Sequence, residues 1–276
     1  MQIRDYSLPA GWYPREAEEA SRFLSDFRHS GPFFSAVAAP HAGWYYSGRL
    51  AARAVSCLQP DAQTVIVIGG HLSDSPPLFA MEDAVRTPFG PMPIDAPLRS
   101  ALYDELSGKE DCYRDNTVEV LLPIVRFFFP HALLVWLRLS AQSASFEAGK
   151  IISREAAKLN RKVNVLASTD LTHYGVNYGF SPRGVGKEAL RWMREENDAA
   201  FIKAVEAGDS AEVLHRAQRD FSACSAGAVL GAMGFSEAEN LGGARLLEYA
   251  TSADVMDDDE VPDSFVGYAA MAFGPA

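Results

Sequence analysis

The sequence predicts an α/β fold: a single domain over residues 1–276, with a mixed or mostly parallel central sheet flanked by helices. Two observations predict it. Short apolar, β-branched runs alternate with helical periodicities along the chain, the pattern of a layered α/β protein. Three of those runs also end on a histidine or an acid, as strands do when their carboxyl ends converge on one crevice of an open sheet. No repeat, low-complexity tract or long linker divides the chain.

Residues 33–39 form the first strand of this reading, followed by Pro40-His41-Ala42-Gly43. Residues 48–58 carry small and apolar side chains at helical spacing. Residues 64–68 are β-branched and short, as a strand buried on both faces would be, and lead through Gly69-Gly70 to His71. Within 78–94, Thr87-Pro88-Phe89-Gly90-Pro91 supplies a turn between two short strands near a sheet edge. Helices follow over 97–106 and 118–129, then a β-rich run at 132–139, a helix over 145–159 and a strand at 163–167. That strand leads into Asp170-Leu171-Thr172-His173-Tyr174-Gly175.

Residues 187–207 read as the longest helix, with Glu188, Arg191, Arg194 and Glu195 on a solvated face. Asp209 is an N-cap for a helix through Arg219. The small residues of 225–233 suit a tightly packed helix. Two last strands, Ala244–Thr251 and Ser264–Phe273, flank an acidic segment. Its Asp257-Asp258-Asp259-Glu260 run lacks the alternating oxygen-ligand spacing of a calcium loop and reads as solvated.

Composition narrows the function classes. A net charge of -11, with no basic stripe to offset it, argues against nucleic-acid binding. No apolar run reaches the roughly 20 residues of a membrane-spanning helix, and the amino terminus lacks a signal-peptide pattern. Three widely spaced cysteines do not make a disulfide framework. These features lead us to expect a cytoplasmic protein with no membrane or nucleic-acid partner.

The candidate functional residues stand at the strand ends. His41 projects from a turn stiffened by Pro40 and freed by Gly43, a setting that serves a functional side chain and a turn cap alike. His71 follows a buried strand and two glycines. Asp170 and His173 concentrate acid/base capacity in one short segment, where Asp170 would orient a histidine ring and His173 would act as ligand or proton shuttle. Cys224, before a helix of small residues, supports either a nucleophile or a soft metal ligand. Cys57 and Cys112 read as buried core thiols.

Taken in order, several segments resemble the Memo family, also described as the B component of the AmmeMemoRadiSam system. They are Pro40-His41-Ala42-Gly43, Tyr46-Ser47-Gly48, Arg86-Thr87-Pro88-Phe89-Gly90 and Glu119 with Leu122-Pro123. The set continues through Ser168-Thr169-Asp170-Leu171-Thr172-His173-Tyr174-Gly175, Cys224, Tyr249-Ala250-Thr251-Ser252 and Val266-Gly267-Tyr268-Ala269-Ala270. The resemblance implies a fold like the class III extradiol dioxygenases with a non-haem metal pocket. It places the metal ligands on His41, His71 and Cys224, and the pocket's acid and further histidine on Asp170 and His173. It implies Fe(II) or copper ahead of zinc, a small-molecule or peptide ligand, and a radical SAM protein as a partner.

Two departures stand out. Asp115-Asn116-Thr117 occupies the place of the family's Glu-His-Ser, so Asn116 replaces a histidine. Gly69-Gly70 also shortens the turn before His71. Three functions therefore enter the structural comparison: a metal-dependent redox protein, a binding module that keeps the pocket without turnover, and a hydrolase with Cys224 as nucleophile and His173 as base.

Overall fold

A computed structural model describes residues 1–29, 31–256 and 261–274. The acidic run Asp257-Asp258-Asp259-Glu260 lies outside the described residues.

Four parallel strands form the centre of a nine-stranded sheet, in the spatial order Ala36–Ala39, Val163–Ser168, Thr64–Gly69, Leu133–Arg138. Ser264–Phe273 runs antiparallel beside Ala36–Ala39 and also pairs with Ala244–Thr251 and His173–Gly175. On the other flank, Leu78–Phe79 pairs antiparallel with Leu133–Arg138 and parallel with Lys109–Glu110. The sheet is thus mixed with a parallel centre, as the alternating sequence pattern predicts. The 87–90 turn belongs to a separate small sheet of Ile3–Arg4, Ala84–Val85 and Met92–Pro93 rather than to the edge of the large one.

Every residue of Thr64–Gly69 is buried because both faces of the sheet are covered. Val65 and Val67 point into one core, with the helices Arg49–Ser56 and Leu122–Phe128. Ile66 and Ile68 point into the other, with the helices Ala144–Lys158 and Ala226–Ala238. Period-two alternation explains how one apolar strand feeds two cores.

Two predicted helices are interrupted. The 118–129 helix splits into Asn116–Glu119 and Leu122–Phe128, where Pro123 suits the first turn of the second helix and could not continue the first. The 187–207 helix contains a π-helical segment, Met193–Asp198, between α-helical Lys187–Trp192 and Ala199–Glu206. Glu188, Arg191 and Glu195 are exposed as predicted, whereas Asn197 and Asp198 turn inward and are buried.

Cys57 is buried, but Cys112 is exposed, contrary to the expectation of a core thiol. Its neighbour Asp111 takes the inward position, 1% exposed, where the Arg138 guanidinium and the Trp136 indole bind it. That pairing turns Cys112 outward. No helix among the described residues is long and apolar enough to cross a membrane.

The registers place the carboxyl ends of the central strands level: Ala39 faces Ser168, and Ile68 faces Ala167. Pro40-His41, Thr169-Asp170 and Gly70-His71 therefore leave the sheet side by side. This is the crevice position where open parallel sheets bind ligands.

Candidate metal centre

His41 Nε2 lies 3.2 Å from His71 Nε2, and Cys224 Sγ lies 3.3 Å from His41 Nε2. One ligand atom from each of the three residues falls within 4.8 Å of both others. A zinc-like ion with metal–nitrogen bonds of about 2.0–2.1 Å and a metal–sulfur bond of about 2.3 Å would subtend both contacts at roughly 100°. Two imidazoles and a thiolate at this spacing fit a transition-metal ion that keeps at least one open position. Three of the five residues singled out in the sequence are thus brought to one point.

Close backbone packing makes the convergence possible. A Cβ on Gly70 would lie 2.4 Å from Ser225 Cβ, and one on Gly69 would lie 2.2 Å from Thr117 Oγ1. The two glycines let the Cys224–Ser225 turn and the Asp115–Thr117 turn close on the strand end from either side. His71 itself adopts φ of 53°, the left-handed region, which costs a non-glycine residue about 1–2 kcal/mol.

That conformation is held by a polar chain that runs inward from the exposed His71 ring to the buried Arg138 and Asp111. Asp115 Oδ2 lies 3.1 Å from His71 Nδ1, and Arg138 Nη2 lies 3.3 Å from the same carboxylate oxygen. Arg138 also donates to the Gly70 carbonyl at 3.0 Å and pairs with Asp111 at 3.2 Å. On the other ring, Ser168 Oγ lies 2.8 Å from His41 Nδ1. Each histidine thus directs Nε2 toward the common point while a polar group holds Nδ1. Ser168, Asp115, Arg138 and Asp111 were not identified from the sequence.

Asp170 grips the backbone rather than a ring. Its Oδ1 accepts from the His41 amide at 2.7 Å, while Oδ2 stands 3.8 Å from His41 Nε2 and 4.0 Å from His173 Nε2. His173 is partly exposed at the start of its edge strand, with the Tyr178 ring edge-on to it at 5.0 Å. The ring beside Cys224 is that of His41, so the hydrolase pairing of Cys224 with His173 finds no support in the contacts. Asn116 donates from Nδ2 to the His41 carbonyl at 3.0 Å. Its amide is therefore used structurally, and it has no group that titrates near neutral pH.

The charges fit a ligand set. Burial alone would raise the Cys224 thiol, but the His41 and His71 rings outweigh it and hold the pKa well below that of a free thiol. Burial would lower His41, yet the Asp170 and Cys224 charges raise it. For Asp115, burial is overcome by the His71 and Thr117 hydrogen bonds and by Arg138, which hold the carboxyl at about 2. Asp170 is raised, chiefly by burial, against the opposing pull of His41 and His173. The sulfur is thus poised as a thiolate, the form that binds metals.

The site opens into a cavity of about 740 Å³ lined in part by His41, His71, Asp170 and His173. One wall is an amino-terminal strap containing Ala10, Gly11 and Trp12. Glu119, 3% exposed, pins the strap by accepting from the Ser7 amide at 2.8 Å and the Tyr13 hydroxyl at 2.8 Å. At its other end, the Trp44 amide donates to the Trp12 carbonyl at 2.8 Å.

The family model for Memo-like proteins matches residues 4–272. The chain belongs to the Memo family. A MEMO1 family protein of Archaeoglobus fulgidus is 28% identical over 98% of this chain and 99% of its own length. One from Methanopyrus kandleri is 29% identical over 98% of both chains. Among solved structures, an uncharacterized protein of Escherichia coli K12 shares the fold at a TM-score of 0.51, with 12% identity, covering 87% of this chain and 99% of its own. Membership of the Memo family and the mixed α/β architecture both match the sequence reading.

Proposed function

We propose that this Memo family protein holds a redox-active metal ion on His41, His71 and Cys224 and acts on a small ligand in the adjoining cavity. One observation carries the reading: two imidazole nitrogens and a sulfur converge at ligand spacing beside an open pocket. Thiolate in place of carboxylate favours copper or zinc, the family resemblance favours iron or copper, and giving the resemblance the greater weight ranks iron(II) and copper ahead of zinc. The bound metal would supply Lewis-acid and electron-transfer chemistry.

The protein's own groups would orient the site and move protons. Ser168 and Asp115 fix the ring orientations of His41 and His71. Asp170 holds the His41 backbone and leaves Oδ2 toward His173, which stands at the cavity wall as the proton-transfer group. Anaerobic purification followed by elemental analysis tests the ligand set. Stoichiometric metal in the wild type, lost in His41→Ala and Cys224→Ser, is the expected result. Absence of metal under every condition overturns the proposal.

A second reading treats the protein as a binding module that acts with a radical SAM partner without turnover of its own. Its support is Asn116, whose amide serves the His41 carbonyl where the family carries a titratable histidine. Metal-loaded protein that consumes no oxygen with catechol-type compounds, and that co-purifies with a radical SAM protein, favours it. Oxygen consumption reduced by His173→Gln favours the first reading.

A further inference from the structure

The Met193–Asp198 segment is wound more widely than the α-helices on either side of it. Such π-helical turns are rare and gather at functional sites. Here the segment aims two polar residues inward: Asn197, 6% exposed, and Asp198, fully buried. Their contacts lead away from their own helix to the loops that carry the site. Asn197 donates from Nδ2 to the Thr172 hydroxyl at 2.8 Å and to the Asp220 carbonyl at 3.0 Å. Asp198 Oδ1 accepts from the Thr172 amide at 3.1 Å and from the Thr172 hydroxyl.

Both partners stand close to functional residues. Thr172 lies between Asp170 and His173. Asp220 ends the helix Ser210–Asp220, and Phe221, with φ of 51°, turns the chain toward Cys224. After the cysteine, the Cys224 amide donates to the Asp170 carbonyl at 3.2 Å and the Ser225 amide to the Thr169 hydroxyl at 3.2 Å. Before it, Asn197 holds the turn at Asp220. The cysteine is thus tied to the same loop from both sides. Gly267 completes the grip on that loop, donating to the Thr172 carbonyl at 3.0 Å and accepting from the Leu171 amide at 2.8 Å. A Cβ on Gly267 would lie 2.0 Å from Asp198 Oδ2, so only glycine lets the carboxylate reach this position. Every polar group of Thr172 is thereby engaged.

We infer that Asn197 and Asp198 are positioning residues of the metal centre: Asn197 bridges the Asp170–His173 loop to the turn before Cys224, and Asp198 locks the Thr172 end of that bridge. The bridge sets where the Cys224 sulfur stands relative to the His41 and His71 nitrogens, as supports behind a ligand set do. This rests on the metal reading above, because the sulfur is positioned for a bound ion. Tyr249 supplies the contrast. Its hydroxyl donates to Asp198 Oδ2 at 2.7 Å from the strand Ala244–Thr251, and its loss leaves both arms of the bridge in place.

The test titrates cobalt(II) anaerobically into metal-stripped full-length protein, because a thiolate bound to cobalt gives a charge-transfer band in the near ultraviolet. Cobalt content is measured first, and Cys224→Ser identifies the band. Asn197→Ala and Thr172→Val cut the bridge at its two ends. Each is expected to weaken cobalt binding about tenfold and to lower the band per bound cobalt. The double variant should lose no more than about twofold beyond the weaker-binding single variant, because a bridge is cut once. Tyr249→Phe should keep the band and bind cobalt within about twofold of wild type. Thr172→Val, nearly the same shape as the native residue, decides the question alone if Asn197→Ala does not fold. A folded bridge variant that keeps the wild-type band, additive losses in the double variant, or an equal loss in Tyr249→Phe overturns the inference. A wild-type protein that takes up no cobalt, or takes it up without the band, overturns the underlying metal reading instead.

Discussion

Asp198 gives the most quantitative prediction. It is fully buried on the π-helical segment and faces only neutral donors: the Thr172 amide at 3.1 Å, the Thr172 hydroxyl, and the Tyr249 hydroxyl at 2.7 Å. Thr172 lies between Asp170 and His173, so Asp198 braces the loop that carries both. Burial raises its pKa to about 7, against the smaller opposing effect of those hydrogen bonds. The folded state therefore keeps a proton that the unfolded chain releases near the ordinary carboxyl value of 3.8. Stability from this group is full below pH 3.8, declines as pH rises toward 7, and is gone above it.

From pH 5 to pH 8 the loss amounts to roughly 2–3 kcal/mol, at about 1.4 kcal/mol per pH unit over the interval in which the folded group stays protonated. Asp198→Asn keeps the Thr172 acceptor and removes the titration. Urea denaturation of both proteins at pH 5 and pH 8 isolates the effect, since other groups contribute equally to each. The wild type should lose roughly 2–3 kcal/mol more than the variant across that interval. Parallel pH profiles for the two proteins would refute the reasoning.

Three further outcomes follow from the supports of the site. Asp115→Asn weakens the hold on His71 and should reduce metal affinity by about 10–100-fold in a chelator competition, with full stoichiometry at saturating metal. Arg138→Leu leaves Asp111 and Asp115 buried without their cation and should cost about 3–5 kcal/mol in chemical denaturation. Glu119→Ala unpins the strap, so exchange of the Ser7 and Leu8 amides should accelerate about tenfold by hydrogen-exchange mass spectrometry, while metal content stays unchanged.

The legible part of the site was the part written at strand ends. His41, His71 and Asp170 follow apolar runs directly, and parallel topology then forces them together. Cys224 was recognisable from the turn before a small-residue helix. The supports were harder to see because each depends on long-range pairing. Arg138 ends the otherwise apolar Leu133–Arg138 strand, and a charge there was a usable sign of buried pairing. Asp111 and Asp115 lie in loops whose sequence gives no indication that they meet it. Asp115-Asn116-Thr117 was noted for a missing histidine, whereas Asp115 engages the His71 ring.

The helix over 187–207 shows the same limit. Its polar surface was readable from charge spacing, but the π-helical segment that turns Asn197 and Asp198 inward breaks the 3.6-residue period on which that reading relies. Cys112 failed for a related reason: the inward position beside it went to a charged residue with buried partners.

The most direct measurement of the central claim is an anomalous difference map from a crystal of anaerobically purified protein, recorded at the iron and copper absorption edges. The account predicts one peak within about 2.0–2.1 Å of His41 and His71 nitrogens and about 2.3 Å from the Cys224 sulfur. A map with no peak there, or side chains that face apart, would contradict it.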